Sequence, residues 1–539
     1  MRVTLIVVVV LLSLSPALGD EGHQHALTEK EVGAVHFANS CSSAVQPSFQ
    51  RAVALLHSFQ YEQARAEFST IAKQDPRCAM AQWGVAMTHF HGLWHNGNQA
   101  AGREALKTAQ EVASGNSTTT ARERSYIDAL AEVYKEDGED EFAHVVGFEQ
   151  KMAALQSAYP DDTEAAIFHA LMLDVSASKT DKTFANQRKC GEILEPIFAR
   201  QPNHPGVAHY LIHCYDNPAL AEKGVEAARK YAGIAPASAH ANHMPSHIFT
   251  RVGSWNESVQ SNLRSADLAM QAESTSSNGE ARDQRLHALD YLEYAYLQSG
   301  RVSDARKVLD QMNSLPPVSG LTLTGDYALA AVPARYAVEL GRWKEAARLE
   351  PRTEGVPWAQ AITWMAAGIG AARSNDPDRA ADAERNLTRL RDISQAKNAY
   401  WSNQIEVQRR EVAAWIAQAS GKADDALAGM RSAAELEESM DKDAVTPGPI
   451  VPARELLAQL FETQGHPDQA LAEYEAVLKT SPNRFNALWG AASSGDSAGD
   501  GDAASRYLQK LLEIGVGTER PELETARKKL GVARKSLTD

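Results

Sequence analysis

Residues 452–483 read "PARELLAQLFETQGHPDQALAEYEAVLKTSPN", and residues 485–515 read "FNALWGAASSGDSAGDGDAASRYLQKLLEIG". Gly465, Ala470, Tyr474 and Val477 recur 34 residues later as Gly499, Ala504, Leu508 and Leu511. Each unit predicts one apolar-periodic helix, a Gly/Asp turn, and a second helix carrying small and then large apolar residues. Pro482 closes the first unit. The same grammar appears far upstream in "FQYEQARAEFSTIAKQDP", where Ala64, Phe68, Ile71 and Pro76 stand at matching offsets. It returns around Gly300 and Gly341.

This pattern resembles the tetratricopeptide repeat. The spacing predicts about eleven helical hairpins from residue 45 to 515 and a capping helix in "PELETARKKLGVARKSL". No unit contains an alternating strand, so the fold class is all-α, a superhelical solenoid. One hairpin cannot bury its apolar face alone, whereas stacked hairpins bury a continuous core and wind around a concave groove. The resemblance implies that positions 2, 5, 9 and 12 of each first helix line that groove.

The chain has 539 residues, a formal charge of −15 and a pI near 5.6, which argues against nucleic acid or an anionic membrane surface as the main partner. Arg2, the apolar run "VTLIVVVVLLSL" and the small residues Ala17 and Gly19 predict a signal peptide over residues 1–19, cleaved near Gly19, and an exported, periplasmic or secreted protein. The remaining organisation is read as an extension (20–44), a His-rich solenoid (45–320), its continuation (321–515) and a capping helix with a tail (516–539). An even cysteine count in an oxidising compartment permits two disulfides. Cys190 and Cys214 flank the "QPNHPG" turn about equally, and Cys41 and Cys78 flank successive helix starts, so the expected pairs are Cys190–Cys214 and Cys41–Cys78.

Sixteen of the seventeen histidines precede residue 288, His466 being the exception. Registering three consecutive units on Pro236, Gly253 and Gly300 gives this bias a geometry. His209, His213 and Asp216 fall at positions 5, 9 and 12 of one helix. His240, His243 and His247 fall at 2, 5 and 9 of the next, and His287, Asp290 and Tyr294 at 2, 5 and 9 of the third. Adjacent helices lie roughly 8–10 Å apart, so these imidazoles can converge. Neutral imidazole is the commonest transition-metal ligand, and zinc, copper or iron would suit such a set better than a thiolate cluster. Asp216, Asp290, Tyr291 and Tyr294 are further ligands or orienters in this reading. Pro245 removes a backbone donor within "HANHMPSHIF" (240–249) and should re-aim His243 against His247.

A histidine in a groove is more often an ordinary polar residue. His57, His89, His91, His95, His144 and His169 are read in that way, His204 as a helix start signal, and "HQH" at 23–25 as part of a mobile end. There is no H-E-x-x-H motif, nucleophile elbow or phosphate loop.

The segments "AVALLHSFQYEQA", "DPRCAMAQWGVAM", "HPGVAHYLIHCYD", "HMPSHIFTRVGSW" and "HALDYLEYAYLQ" resemble those of a group of exported bacterial tetratricopeptide proteins over roughly residues 36–300. That resemblance implies fold and compartment, and names no chemistry. The leading expectation is an exported solenoid that binds a protein or peptide in its groove and carries a histidine-lined metal site. The alternatives are a metal-dependent oxidase or hydrolase using the same pocket, and a metal-free scaffold. Three protein ligands with an open position would favour catalysis, and a filled set would favour structure.

Overall fold

In the quoted stretch, Gly465 takes φ +77° where the helix Ala453–Thr463 ends, a left-handed conformation that glycine adopts without a Cβ clash. Pro467 then starts the helix Pro467–Thr480, where its missing N–H has no intrahelical partner to lose. Ala470, Tyr474 and Val477 are the buried face of that helix. Gly490 on the next helix, Phe485–Ala498, leaves the space that the Tyr474 ring fills. Gly84 does the same for Phe68 in the first unit. Truncating such a ring costs about 3–5 kcal/mol, so these pairs fix the stacking of neighbouring hairpins.

The computed structural model describes residues 27–93, 97–136, 138, 141–273, 279–315, 322–515 and 519–532. Among them the chain is helical with no strand, and successive helices pack as hairpins from Gln46–His57 to the terminal Pro521–Leu530. The fold is the tetratricopeptide-like solenoid expected. The signal segment, "HQH" and His95 lie outside the described residues, as do residues 316–321 around the boundary expected between 320 and 321. No described helix is long and apolar enough to cross a membrane. Disulfides join Cys41 to Cys78 and Cys190 to Cys214, the pairs read from the spacing.

The groove is closed by the chain itself. The segment after the helix Ala423–Glu438 runs back across the histidine-bearing helices. Asp441 N–H donates to Lys179 O at 2.8 Å, Lys182 Nζ donates to Met440 O at 2.7 Å, and Lys442 Nζ reaches Asp216 at 2.6 Å. Further along, Trp255 Nε1 donates to Asn483 O at 2.8 Å and Arg484 Nη1 to the Tyr294 hydroxyl at 3.2 Å. Side chains on groove positions are therefore interior residues.

Candidate metal centre

All six registered histidines are buried, between 0% and 7% exposed, where an open groove wall was expected. The physical reason is the covering segment 440–450 together with the packing of three helical hairpins around them.

Pro245 divides the run of three. The helix Ala239–His243 stops, Met244 bridges in helical conformation, and Pro245–Arg251 begins a second helix. His240 consequently joins the rings of the preceding hairpin, while His243 and His247 face the following one. The outcome is two groups of three imidazoles, His209 with His213 and His240, and His243 with His247 and His287. Within each group, one nitrogen from each ring lies within 4.8 Å of the other two. The groups are neighbours, with ring centroids 6.2 Å apart for His213 and His247 and 6.3 Å for His240 and His243.

Hydrogen bonds on the far side of the rings fix their tautomers. His209 Nδ1 faces the His57 carbonyl oxygen at 2.6 Å, so Nδ1 must donate and Nε2 is bare. That bare Nε2 lies 3.1 Å from His213 Nε2 and 3.0 Å from His240 Nε2. In the second group His247 Nδ1 donates to Asp216 Oδ2 at 2.9 Å. His243 Nδ1 donates to Asn262 Oδ1 at 2.7 Å, and the Asn262 amide is held in that orientation by its own Nδ2 donating to Ser258 O at 2.8 Å. Both Nε2 atoms are then bare, and they stand 3.0 Å apart. His287 adds a buried Nδ1 with no hydrogen-bond partner among the described residues, and its ring centroid lies 4.3 Å from that of His243.

Electrostatics keep the rings neutral. Burial lowers His209 to about 3 and holds His213, His240, His243 and His287 well below the ordinary imidazole range, their mutual repulsion adding to the effect. His247 is lowered by burial too, opposed by Asp216. Burial would raise the Asp216 carboxyl, but Lys442 and Arg251 together with His247 hold it well below the carboxylate range. An ionised carboxylate behind a ring nitrogen fixes the ring's orientation and makes its other nitrogen a better ligand. A small cavity of about 60 Å³ reaches His213 and Asp216 between Asp174 and Lys442, giving the site a side open to small species.

Of the other residues read as site candidates, Asp216 and Tyr291 belong here. The Tyr291 hydroxyl lies 3.3 Å from His247 Nδ1 and donates to Thr446 O at 2.9 Å. Asp290 and Tyr294 do not. Asp290 pairs with Arg335 at 2.5 Å, and Tyr294 accepts from Arg484, because two buried arginines arrive from later helices. His57 and His204 are buried rather than peripheral, each donating its Nε2 proton to Glu164 at 2.9 Å in a third cluster. Each Glu164 oxygen contacts one ring there and His57 Nδ1 lies 2.9 Å from the Tyr210 hydroxyl, while His204 Nδ1 is buried with no hydrogen-bond partner among the described residues. Through its carbonyl, His57 orients His209.

Sequence reasoning missed Asn262, Arg251 and Lys442. Asn262 had a signal. It lies in "WNESVQSNLRSADLAM", whose buried face carries Ser258, Asn262 and Ser265 where the repeat uses apolar residues. Lys442 had none, being more than 200 residues from its partner.

No protein-family model matches the chain, and no curated protein matches it. Among solved structures the chain is similar to yeast Tom70, at 11% identity and a TM-score of 0.31, covering 90% of this chain and 96% of that one. It is similar also to a monomeric mutant of IFIT1 with Gppp-AAAA, at 11% identity and a TM-score of 0.36, covering 81% of this chain and 90% of that one. The human IFIT1 dimer with m7Gppp-AAAA gives 12% identity, a TM-score of 0.36 and the same coverage.

Proposed function

We propose that this is an exported metalloprotein whose two histidine triads each hold one transition-metal ion, and that the adjacent pair forms a centre for metal-dependent chemistry. The observation that carries the reading is the meeting of His243 Nε2 and His247 Nε2 at 3.0 Å, both bare because their Nδ1 atoms donate elsewhere. Two lone pairs at that distance repel unless a cation lies between them, and burial disfavours a proton as that cation. A metal ion resolves the conflict for both rings at once.

The donor chemistry narrows the ion. Six neutral imidazoles suit zinc or copper, and the carboxylate that completes a two-histidine iron site is engaged here with Nδ1 of His247 instead. Three protein ligands leave each ion a position for water or substrate, the pattern of catalytic rather than structural sites. Asp216 and Asn262 orient the ligands, and Tyr291 supplies a hydroxyl beside them. Two disulfides are compatible with an oxidising compartment. The concave face at this level is already covered by residues 440–450, which favours the metal reading over a peptide lying on the histidines.

The test is elemental analysis of untagged mature protein after exhaustive dialysis and reloading with zinc or copper. Two ions per chain are expected for the wild type. His243→Ala with His247→Ala should lower the count by one while His209 and its neighbours keep theirs. Equal metal content in wild type and double variant would overturn the assignment, as would a chain that holds no ion.

A further inference from the structure

Beyond the covering segment lies a larger cavity of about 430 Å³, within the usual range for a small-molecule site. Its walls are aromatic and apolar. Trp358 and Trp401 stack at 5.3 Å with an interplanar angle of 15°, Tyr400 and Tyr327 stand beside them, and Met365 and Ile405 complete the floor.

Three polar groups in this wall lack what they need. Glu411 is 2% exposed and, among the described residues, has no hydrogen bond and no cation within ion-pair distance. Among the described residues Gln408 Oε1 is buried with no donor, and Trp358 Nε1 is buried with no acceptor. Glu437 lines the same cavity, and of its oxygens Oε2 accepts the Ala453 N–H at 3.1 Å. A buried ionised carboxylate without a cation is costly, and the buried Asp290, Glu293, Glu339 and Glu455 each meet an arginine. The cations that border the cavity are committed already, Lys442 and Arg251 to Asp216 and Lys182 to the Met440 carbonyl.

We infer that this cavity binds a small organic amine, its ammonium seated against Glu411 and Gln408 and its apolar body held by Trp358 and Trp401. A cation over a tryptophan face gains attraction from the ring quadrupole, increasingly so where water is excluded. The ammonium N–H groups satisfy the two orphaned acceptors, and a hydroxyl or carbonyl on the amine would satisfy the Trp358 N–H. Burial and the neighbouring Glu437 hold the Glu411 carboxyl well above the carboxylate range, and burial brings Glu437 up to about 7, so a bound cation would restore their ionisation. The site stands independently of the metal ions, although its wall shares Arg251, Lys442 and Thr446 with the shell around His247.

Calorimetry of the full chain with three ligands of one shape tests this. The set is tyramine as the cation, 4-ethylphenol as the neutral analogue and 3-(4-hydroxyphenyl)propionate as the anion. Tyramine should bind at one site, about tenfold or more tighter than 4-ethylphenol, and the anion weakest of all. Glu411→Gln removes the carboxyl without adding volume and should cost tyramine about tenfold while leaving 4-ethylphenol unchanged. Trp401→Leu should weaken both. Equal affinity for amine and neutral analogue, an unaffected Glu411→Gln, or no saturation by tyramine at about 10 mM would overturn the assignment. Repeating the titration on metal-free protein separates this result from that of the metal centre, since the amine site should survive metal removal.

Discussion

Two regions of the solenoid fill their groove positions with polar side chains, and they solve the resulting problem in opposite ways. Around Arg335 and Arg484 the chain brings its own cations. Arg335 is wholly buried against Asp290 and Glu293, and Arg484 against Glu339 at 2.5 Å and Glu455 at 2.6 Å. Around His209 and His243 six neutral bases converge, and Lys442 and Arg251 touch Asp216 instead of the ring nitrogens that meet. The difference teaches how to tell a structural cluster from a binding one in a repeat protein. A cluster that brings its own cation explains itself by folding, whereas one whose lone pairs face each other implies a cation from outside.

The largest expected effect lies in the arginine-paired region. Arg484→Met leaves Glu339 and Glu455 buried without their partner and should lower unfolding free energy by about 3–5 kcal/mol, read by chemical denaturation. Metal should not change that loss. If added zinc or copper rescued it, the two regions would not be separate in kind.

Acidification should separate them again. In metal-free protein the buried histidines have folded pKa values below their unfolded value near ~6.5, His209 at about 3. Their contribution is complete above pH ~6.5 and is lost as pH falls towards the folded values, because the unfolded chain takes up protons the folded one refuses. Asp174 and Asp283, raised to about 6 by burial, and Glu437, raised to about 7, act in the other direction and add stability as pH falls from 7. Glu411, held well above the carboxylate range by burial, acts in the same direction as these acids, so the histidine share is read by difference. Between pH 7 and 5 the melting temperature of the wild type should fall relative to that of the His243→Ala, His247→Ala variant, and equal changes in the two proteins would contradict the neutral, buried assignment.

Reducing the Cys190–Cys214 bridge, by substituting both with serine, should cost about 2–4 kcal/mol. It should also loosen metal binding, because Cys214 adjoins His213 on the same helix. His243→Ala with His247→Ala in metal-free protein should cost less, under about 2 kcal/mol, since two hydrogen bonds at about 1 kcal/mol each are lost and a lone-pair repulsion is relieved. The same pair of changes should abolish most of the stabilisation that metal gives. His466→Ala, at an exposed turn, should be silent in every assay.

Much of the fold was legible because a repeat states its geometry locally. Gly465, Pro467, Ala470 and Tyr474 each specify a turn, a start or a packed contact within one hairpin. The six histidines were legible as a group for the same reason, since register places them on adjacent helices. Their division into two triads was not, because it depends on how the chain turns at Met244 and Pro245. Nor was the misassignment of Asp290 and Tyr294 avoidable. They share the histidines' face, but Arg335 and Arg484, 45 and 190 residues further along, claim them. Burial of the whole site escaped for a related reason, since the superhelix closes through Lys442 and Asn483, and no local pattern encodes that closure.

Anomalous diffraction from crystals of the metal-loaded protein, collected on both sides of the zinc or copper absorption edge, tests the central claim most directly. Two separate peaks are expected, one among His209, His213 and His240 and the other among His243, His247 and His287. A single peak outside both triads, or none above the edge in protein that binds metal in solution, would contradict it.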